Sequence, residues 1–384
     1  MKHHMHHPGF KFLKEPEEFS KYSDRQFLRF CLGATMYMPG TKNFTERILN
    51  SELPYLTTMV FCFEDACPAD MVLEAEANVL ETLETLSAAI DEGKIGYHNL
   101  PLIFCRVRTP EQFDRFCSKL TKHQSKVLAG FNFPKFNTHN GERYFSRLLK
   151  LNNDLNEILY GMPIIEDPEV AFKETRLSEL IGIKTILNQY YDLVLQVRVG
   201  ATDFSSCFGV RRGVDYSIYN IATVNECLSD IMNIFGRNND YIVSGPVWEY
   251  FRVSKSMMFK DLQDYGFEDY LLRRQLIVNA EVDGLLREVI LDKANGFVGR
   301  TVIHPSHVVY VNALQAVTSE EYKDATDILG NVKGGVFKGE GGNKMNEVKP
   351  HTNWAYKISM RARAYGVIEN ESSYIDLFNA AIKE

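Results

Sequence analysis

The chain contains 384 residues, 45% of them hydrophobic and 24% charged, and carries a net charge of −7 at pH 7. This length suits an α/β barrel of about 250 residues with terminal additions, and no apolar run approaches the roughly 18 residues that cross a bilayer, so no membrane partner is expected. The acidic balance also argues against a nucleic-acid partner, whose phosphates call for a concentrated basic surface, although the basic pair Arg211-Arg212 suits a small anionic ligand.

In chain order, the first feature is a tract of His3, His4, His6 and His7. Imidazole is a common metal ligand, but such tracts bind metal without a fold, and a mobile N-terminal extension over residues 1–30 is the expectation. Short apolar runs then alternate with long amphipathic stretches, the signal of βα units around a parallel sheet. Eight strands are predicted, at 34–38, 58–63, 102–107, 127–133, 162–165, 193–199, 241–244 and 301–303. Their near-continuous hydrophobicity means that both faces are buried, as between a barrel interior and a helix layer. After the second strand, Val72, Ala75, Val79, Leu83, Leu86 and Ile90 recur at spacings of three and four, predicting a helix with one apolar stripe. Further helical stretches fall at 139–159, 171–190, 219–236 and 278–294. This predicts a (β/α)8 barrel, a TIM barrel, over residues 31–330, with a doubly wound sheet as the main alternative. Five glycines between Gly334 and Gly342 predict a mobile loop. With a helix at Trp354–Gly366, residues 331–384 read as a C-terminal lid and helical extension. Seven cysteines, with no CxxC pair and no signal peptide, point to a reducing, cytoplasmic location; Cys62 and Cys105 read as core.

Reacting groups in βα barrels come from the carboxyl ends of the strands. Polar residues end several apolar runs here: Glu64-Asp65, Arg106 and Arg108, Lys135, Glu166-Asp167, Asp203 and His304. Converging carboxylates repel unless a cation lies between them, and an oxygen-only set suits Mg2+ better than zinc. An arginine beside them fits a carboxylate fork. Asp65 and Asp167 read equally as N-caps of the following helices, and His304 as a structural hydrogen-bonding residue.

Seven segments in this order resemble the citrate lyase β-subunit and HpcH/HpaI aldolase superfamily. They are Met36-Tyr-Met-Pro-Gly40, Phe63-Glu-Asp-Ala66, Arg106-Val-Arg108, Phe133-Pro-Lys135, Ile165-Glu-Asp167, Gly200-Ala-Thr-Asp-Phe204 and Gly296-Phe-Val-Gly-Arg-Thr-Val-Ile-His-Pro305. The resemblance implies a (β/α)8 fold, Mg2+ on Glu166 and Asp203, and Arg106 facing a substrate carboxylate or enolate. It implies cleavage or formation of β-hydroxyacyl thioesters such as citryl-, malyl- or citramalyl-CoA, or aldol cleavage to an α-keto acid. Departures stand at Arg108, Asp167 and Arg300, where Asn, Thr and Lys are usual. Related thioester enzymes place a carboxylate from a neighbouring subunit over the site. The nearest match in this chain is Lys344-Met-Asn-Glu347, which makes Glu347 the counterpart and a homotrimer or hexamer the expected assembly.

The resulting expectation is a Mg2+-dependent carbon–carbon lyase acting on a small carboxylate or acyl (coenzyme A) thioester. Glu166 and Asp203 hold the metal, Arg106 and Arg108 contact the substrate, and Glu64 or Glu347 transfers the proton. Lys135 offers a Schiff-base alternative. An aldolase on free α-keto acids without coenzyme A, and a barrel kept as a non-catalytic binding protein, are the rival readings.

Overall fold

The computed structural model describes residues 1–251, 278–331, 335–339 and 345–379. Seven parallel strands lie in the order β6-β5-β4-β3-β2-β1-β7. They are β1 (Ala34–Pro39), β2 (Thr58–Cys62), β3 (Leu102–Arg106), β4 (Leu128–Phe133), β5 (Tyr160–Ile165), β6 (Arg198–Val199) and β7 (Arg300–Val302). The remaining gap is bridged by segment 241–245. Val197 N donates to Ile242 O and Ser244 N to Val197 O, both at 2.9 Å, while Val298 N donates to Val243 O at 2.9 Å and Gly245 N to Gly299 O at 3.0 Å. The sheet therefore closes into the TIM barrel that the alternation of runs predicts.

Two predicted strands are shorter than their apolar runs. The run at 193–199 pairs as a ladder only at Arg198–Val199, and 241–245 makes isolated bridges. At the start of the first run, Arg25 takes a backbone acceptor: its Nη2 donates to Val194 O at 2.7 Å, and it also reaches Tyr191 O. A carbonyl satisfied by a guanidinium has no need of a neighbouring strand.

The helix Val72–Asp91 buries Val72, Ala75, Val79, Leu83 and Leu86 against the sheet, while Ile90 is only partly covered. Its buried Glu76 accepts from Arg115 Nη2 at 2.7 Å and Gln112 Nε2 at 2.9 Å, so the charge sits on the helix layer with partners in place. Cys62 and Cys105 are buried in the core.

Both chain ends depart from expectation. The N-terminal tract is packed rather than mobile: His3 and His4 are buried, His3 Nε2 pairs with Cys31 O at 2.8 Å, and its ring stacks on Tyr365 with centroids 4.3 Å apart. Neutral imidazole is flat and amphipathic, so an aromatic neighbour and one carbonyl suffice to seat it. Burial pulls His3 down to about 3 and His6 to about 4. In the unfolded chain, histidines take up protons near pH 6.5. Between those values the unfolded state binds more protons, so stability falls as pH falls, by up to about 1.4 kcal/mol per pH unit for each such histidine. The melting temperature is expected to drop from pH 7 to pH 5, and His3→Gln to lessen that drop. Thermal unfolding of both proteins at pH 7, 6 and 5 checks this, and equal slopes would remove His3 as a contributor.

The C-terminal helix spans Val348–Tyr365, starting earlier than predicted, with Pro350 in its first turn, where a missing N–H costs little. Lys357 Nζ donates to Gly296 O at 2.8 Å, Asn239 Nδ2 to Asn353 O at 2.9 Å and Tyr365 Oη to Phe30 O at 2.7 Å. Phe30, Asn239 and Gly296 all lie just before strand positions, so this helix covers the N-terminal end of its own barrel. Within one chain this helix packs at the end opposite the mouth and forms no lid over its own site. Of the glycine-rich loop, residues 334 and 340–342 lie outside the described residues.

Candidate active site

The strand register sets the site. Cys62 pairs with Arg106, and Arg106 with Asn132, across β2, β3 and β4, while Ile165 pairs with Val199 across β5 and β6. The polar residues that end these strands therefore reach one rim. There they surround a cavity of about 490 Å3 whose lining includes Asp65, Arg106, Glu166 and Asp203.

Arg106 is the hub. Its Nη2 lies 2.6 Å from Glu64 Oε2, 3.2 Å from Asp65 Oδ2 and 3.2 Å from Glu166 Oε1. Burial pulls its proton affinity down, and the charges of Glu166 and Glu64 more than offset this, so the guanidinium stays charged. Lys135 Nζ pairs with Glu64 Oε1 at 2.5 Å. The backbone of Lys135 adopts φ +46°, a left-handed conformation that non-glycine residues rarely take, and its N–H donates to Glu166 Oε1 at 2.9 Å. Strain at a functional rim is a common arrangement. Here it aims an amide at the carboxylate.

Glu166 is 4% exposed. Its carboxyl is pushed up to about 7, first by burial, against the pull of Arg106 and with the added repulsion of Asp203. Oε1 is engaged by Arg106 and by the Lys135 amide. Oε2 accepts no hydrogen bond among the described residues and lies against Gly200, where a β-carbon would stand 2.2 Å from it. Asp203 sits in the first turn of the helix Ala201–Cys207, just past β6. Among the described residues no cluster of three or more His, Cys, Asp or Glu forms a closed metal cage.

Other predicted site residues fall elsewhere. Arg108 does not line the cavity: its Nη1 donates to Phe63 O at 3.2 Å and Cys67 O at 3.1 Å, bracing the loop that carries Glu64 and Asp65. Arg212 is buried and meets the protein's own anions, Glu249 Oε2 at 2.5 Å and Glu288, rather than a ligand. Asp167 is an N-cap, accepting from Glu169 N at 3.0 Å, whereas Asp65, read as a possible cap, faces the cavity. His304 Nδ1 pairs with Ser306 Oγ at 2.7 Å and its ring stacks on Phe251. Lys135 has its proton affinity raised because Glu64 outweighs burial, opposite to what an amine nucleophile requires.

Glu347 ends an antiparallel pair, Val336–Lys338 with Met345–Glu347, exposed at the start of the helix that covers the N-terminal end of the barrel. Within one chain it is not brought to the cavity. Glu347→Gln is therefore expected to keep kcat/KM within about twofold, the range of an ordinary surface substitution. Steady-state kinetics decide, and a loss of orders of magnitude would restore a role across a subunit boundary.

Tyr37, Thr301, Arg198 and Glu249 are at or just behind the cavity and were not singled out from sequence. One signal was present: Arg198 is the charged residue inside the apolar run 193–199, and a buried charge rarely lacks a purpose.

Comparison with known proteins bears on the fold and the family. The protein CitE from Mycobacterium tuberculosis, solved with magnesium, acetoacetate and coenzyme A, shares 16% identity at a TM-score of 0.51, over 87% of this chain and 99% of that one. The citrate lyase beta subunit from M. tuberculosis, solved with oxaloacetate and magnesium, shares 15% identity at a TM-score of 0.45, over 74% and 96% of the two chains. No curated protein matches the chain. The first of these likenesses shows the fold, and the family follows from a match of most of the sequence: a family model described as C-C bond lyase of the TIM-Barrel fold spans residues 26–367, so this chain belongs to that family of carbon–carbon lyases.

Proposed function

We propose that this lyase is Mg2+-dependent, with Glu166 and Asp203 holding the cation, and that it cleaves or forms a β-hydroxyacyl thioester of the coenzyme A type or a related oxo-acid. The observation that carries the reading is the pair of carboxylates lining one cavity, with Glu166 Oε2 left without a hydrogen bond among the described residues and Gly200 keeping space beside it. One or two carboxylates completed by water and substrate oxygens is the ordinary Mg2+ arrangement. Burial first, and then repulsion by Asp203, raise the Glu166 carboxyl, and a cation between the two groups would relieve that repulsion. The solved CitE that this chain resembles holds magnesium, acetoacetate and coenzyme A, which supports the same ligand classes here.

When bound, Mg2+ supplies Lewis acidity toward substrate oxygens. The chain's own residues do the remainder. Arg106 presents a charged guanidinium at the cavity wall to orient a substrate carboxylate. The Lys135 amide and Arg106 fix the Glu166 rotamer, and Arg108 braces the loop that bears Glu64. Glu64, held between Arg106 and Lys135, is the carboxylate of the two proposed for proton transfer that lies at this rim. The apolar wall of Ile164, Val199, Val247 and Ile303 limits water at the reacting centre.

The test is an assay of citramalyl-, malyl- and citryl-CoA with Mg2+ and with a chelator, following release of the keto acid. Turnover of at least one thioester that disappears on chelation is expected. Absence of turnover together with absence of Mg2+ binding by calorimetry would end this reading.

A further inference from the structure

We infer that the hydroxyls of Tyr37 and Thr301, backed by the buried guanidinium of Arg198, form a second carboxylate subsite at the cavity floor, so that the substrate is dianionic. This inference rests on the reading of Glu166 and Asp203 as the metal site. Arg198 stands on β6 and is 1% exposed. Its Nη1 donates to Thr35 Oγ1 at 3.2 Å and Gln196 Oε1 at 3.3 Å, and its Nη2 to Thr301 Oγ1 at 2.7 Å. Every one of these partners is neutral. Its Nε is buried with no hydrogen bond, and no carboxylate contacts the side chain among the described residues.

Three arginines at or beside the cavity are paired with carboxylates, whereas Arg29 and Arg361, buried at the N-terminal end of the barrel, donate to backbone carbonyls. Arg106 faces three carboxylates, Arg212 faces Glu249 and Glu288, and Arg300 pairs with Glu288 and, at 3.2 Å, with Asp292. A buried charge without a partner is strongly disfavoured, and an anion brought by a ligand corrects this.

The hydroxyl chemistry shows where that anion sits. Thr301 Oγ1 accepts from Arg198, and Tyr37 Oη accepts from Asn132 Nδ2. A hydroxyl owns a single proton and orients it to suit its neighbours. With each oxygen already accepting on its inner side, each hydroxyl is free to turn its proton toward an acceptor in the cavity, which both residues line. Two outward donors in front of a buried cation suit a carboxylate, whose oxygens only accept. The Arg198 guanidinium lies with its Cζ 5.8 Å from the Tyr37 ring centroid, and in surroundings of low polarity its charge carries through the hydroxyls to the bound group.

The experiment compares two keto acids of one carbon skeleton, oxaloacetate and 2-oxobutyrate, which differ by a carboxylate in place of a methyl. Calorimetry with Mg2+ on the full chain is expected to show oxaloacetate binding about tenfold or more tighter, the effect of a charge-assisted hydrogen bond. In Tyr37→Phe/Thr301→Val, and in Arg198→Met if it folds, that ratio is expected to collapse toward one. A wild-type ratio near one, or a ratio kept in the Tyr37→Phe/Thr301→Val protein, overturns the subsite. Asp203→Asn separates the two readings: it is expected to weaken both ligands alike. If the wild type binds neither keto acid with Mg2+, the metal-site reading fails and this inference fails with it.

Discussion

Glu166→Gln and Asp203→Asn are each expected to lower Mg2+-dependent turnover by about 10³-fold or more, the several kcal/mol that a metal ion contributes to charge stabilisation. Each substitution removes a negative charge from a two-carboxylate set while keeping the side-chain shape. The fold should survive. In Glu166→Gln the carbonyl oxygen still accepts from the Lys135 amide and Arg106, whose guanidinium keeps Glu64 at 2.6 Å and Asp65 at 3.2 Å as counter-charges. Loss of the Glu166 charge also removes the cost of burying it and its repulsion with Asp203, the two effects that push the carboxyl up to about 7. Calorimetric titration with Mg2+, next to thermal melts, separates metal binding from stability. Unchanged Mg2+ affinity in both variants would take these residues out of the metal site.

Gly200→Ala is the second large effect, and it arises from contact alone. The backbone of Gly200, at φ −103°, is one that alanine accepts. The added methyl carbon, however, would stand 2.2 Å from Glu166 Oε2 and 2.5 Å from Glu166 Cβ. Glu166 cannot yield easily, since Oε1 is tied to Arg106 and to the Lys135 amide and the residue is 4% exposed. Overpacking of this kind costs about 1–3 kcal/mol, and the relief available is rotation of the carboxylate out of the site or a shift of β6. A drop in kcat/KM of about 100-fold or more is expected, since misplacement by about 1 Å has that scale, together with weaker Mg2+ binding. Combining Gly200→Ala with Glu166→Gln should add little further loss, because both changes remove one and the same ligand. Normal Mg2+ affinity in Gly200→Ala would show that Glu166 does not rest against Gly200 in the working enzyme.

The barrel was legible in the chain itself because strands buried on both faces must be apolar throughout, and eight such runs separated by helical stripes leave few other architectures. The cluster of Glu64, Arg106, Lys135, Glu166 and Asp203 was legible for a related reason: charge at the end of a buried strand has only the barrel mouth to go to. Tertiary structure decided the rest. Arg106 and Arg108 look alike in sequence, yet Arg106 is the last residue of β3 and faces the cavity, while Arg108 lies beyond it and donates to the carbonyls of Phe63 and Cys67. The histidine tract resembled a mobile end and the C-terminal helix part of a lid extension, yet within the chain both pack on the N-terminal side of the barrel against Cys31, Phe30 and Gly296. Local pattern states which face of a segment is apolar but not which surface will cover it. The neutral surroundings of Arg198 depend likewise on side chains from β1, β6 and β7, residues remote in sequence that meet only when the sheet closes.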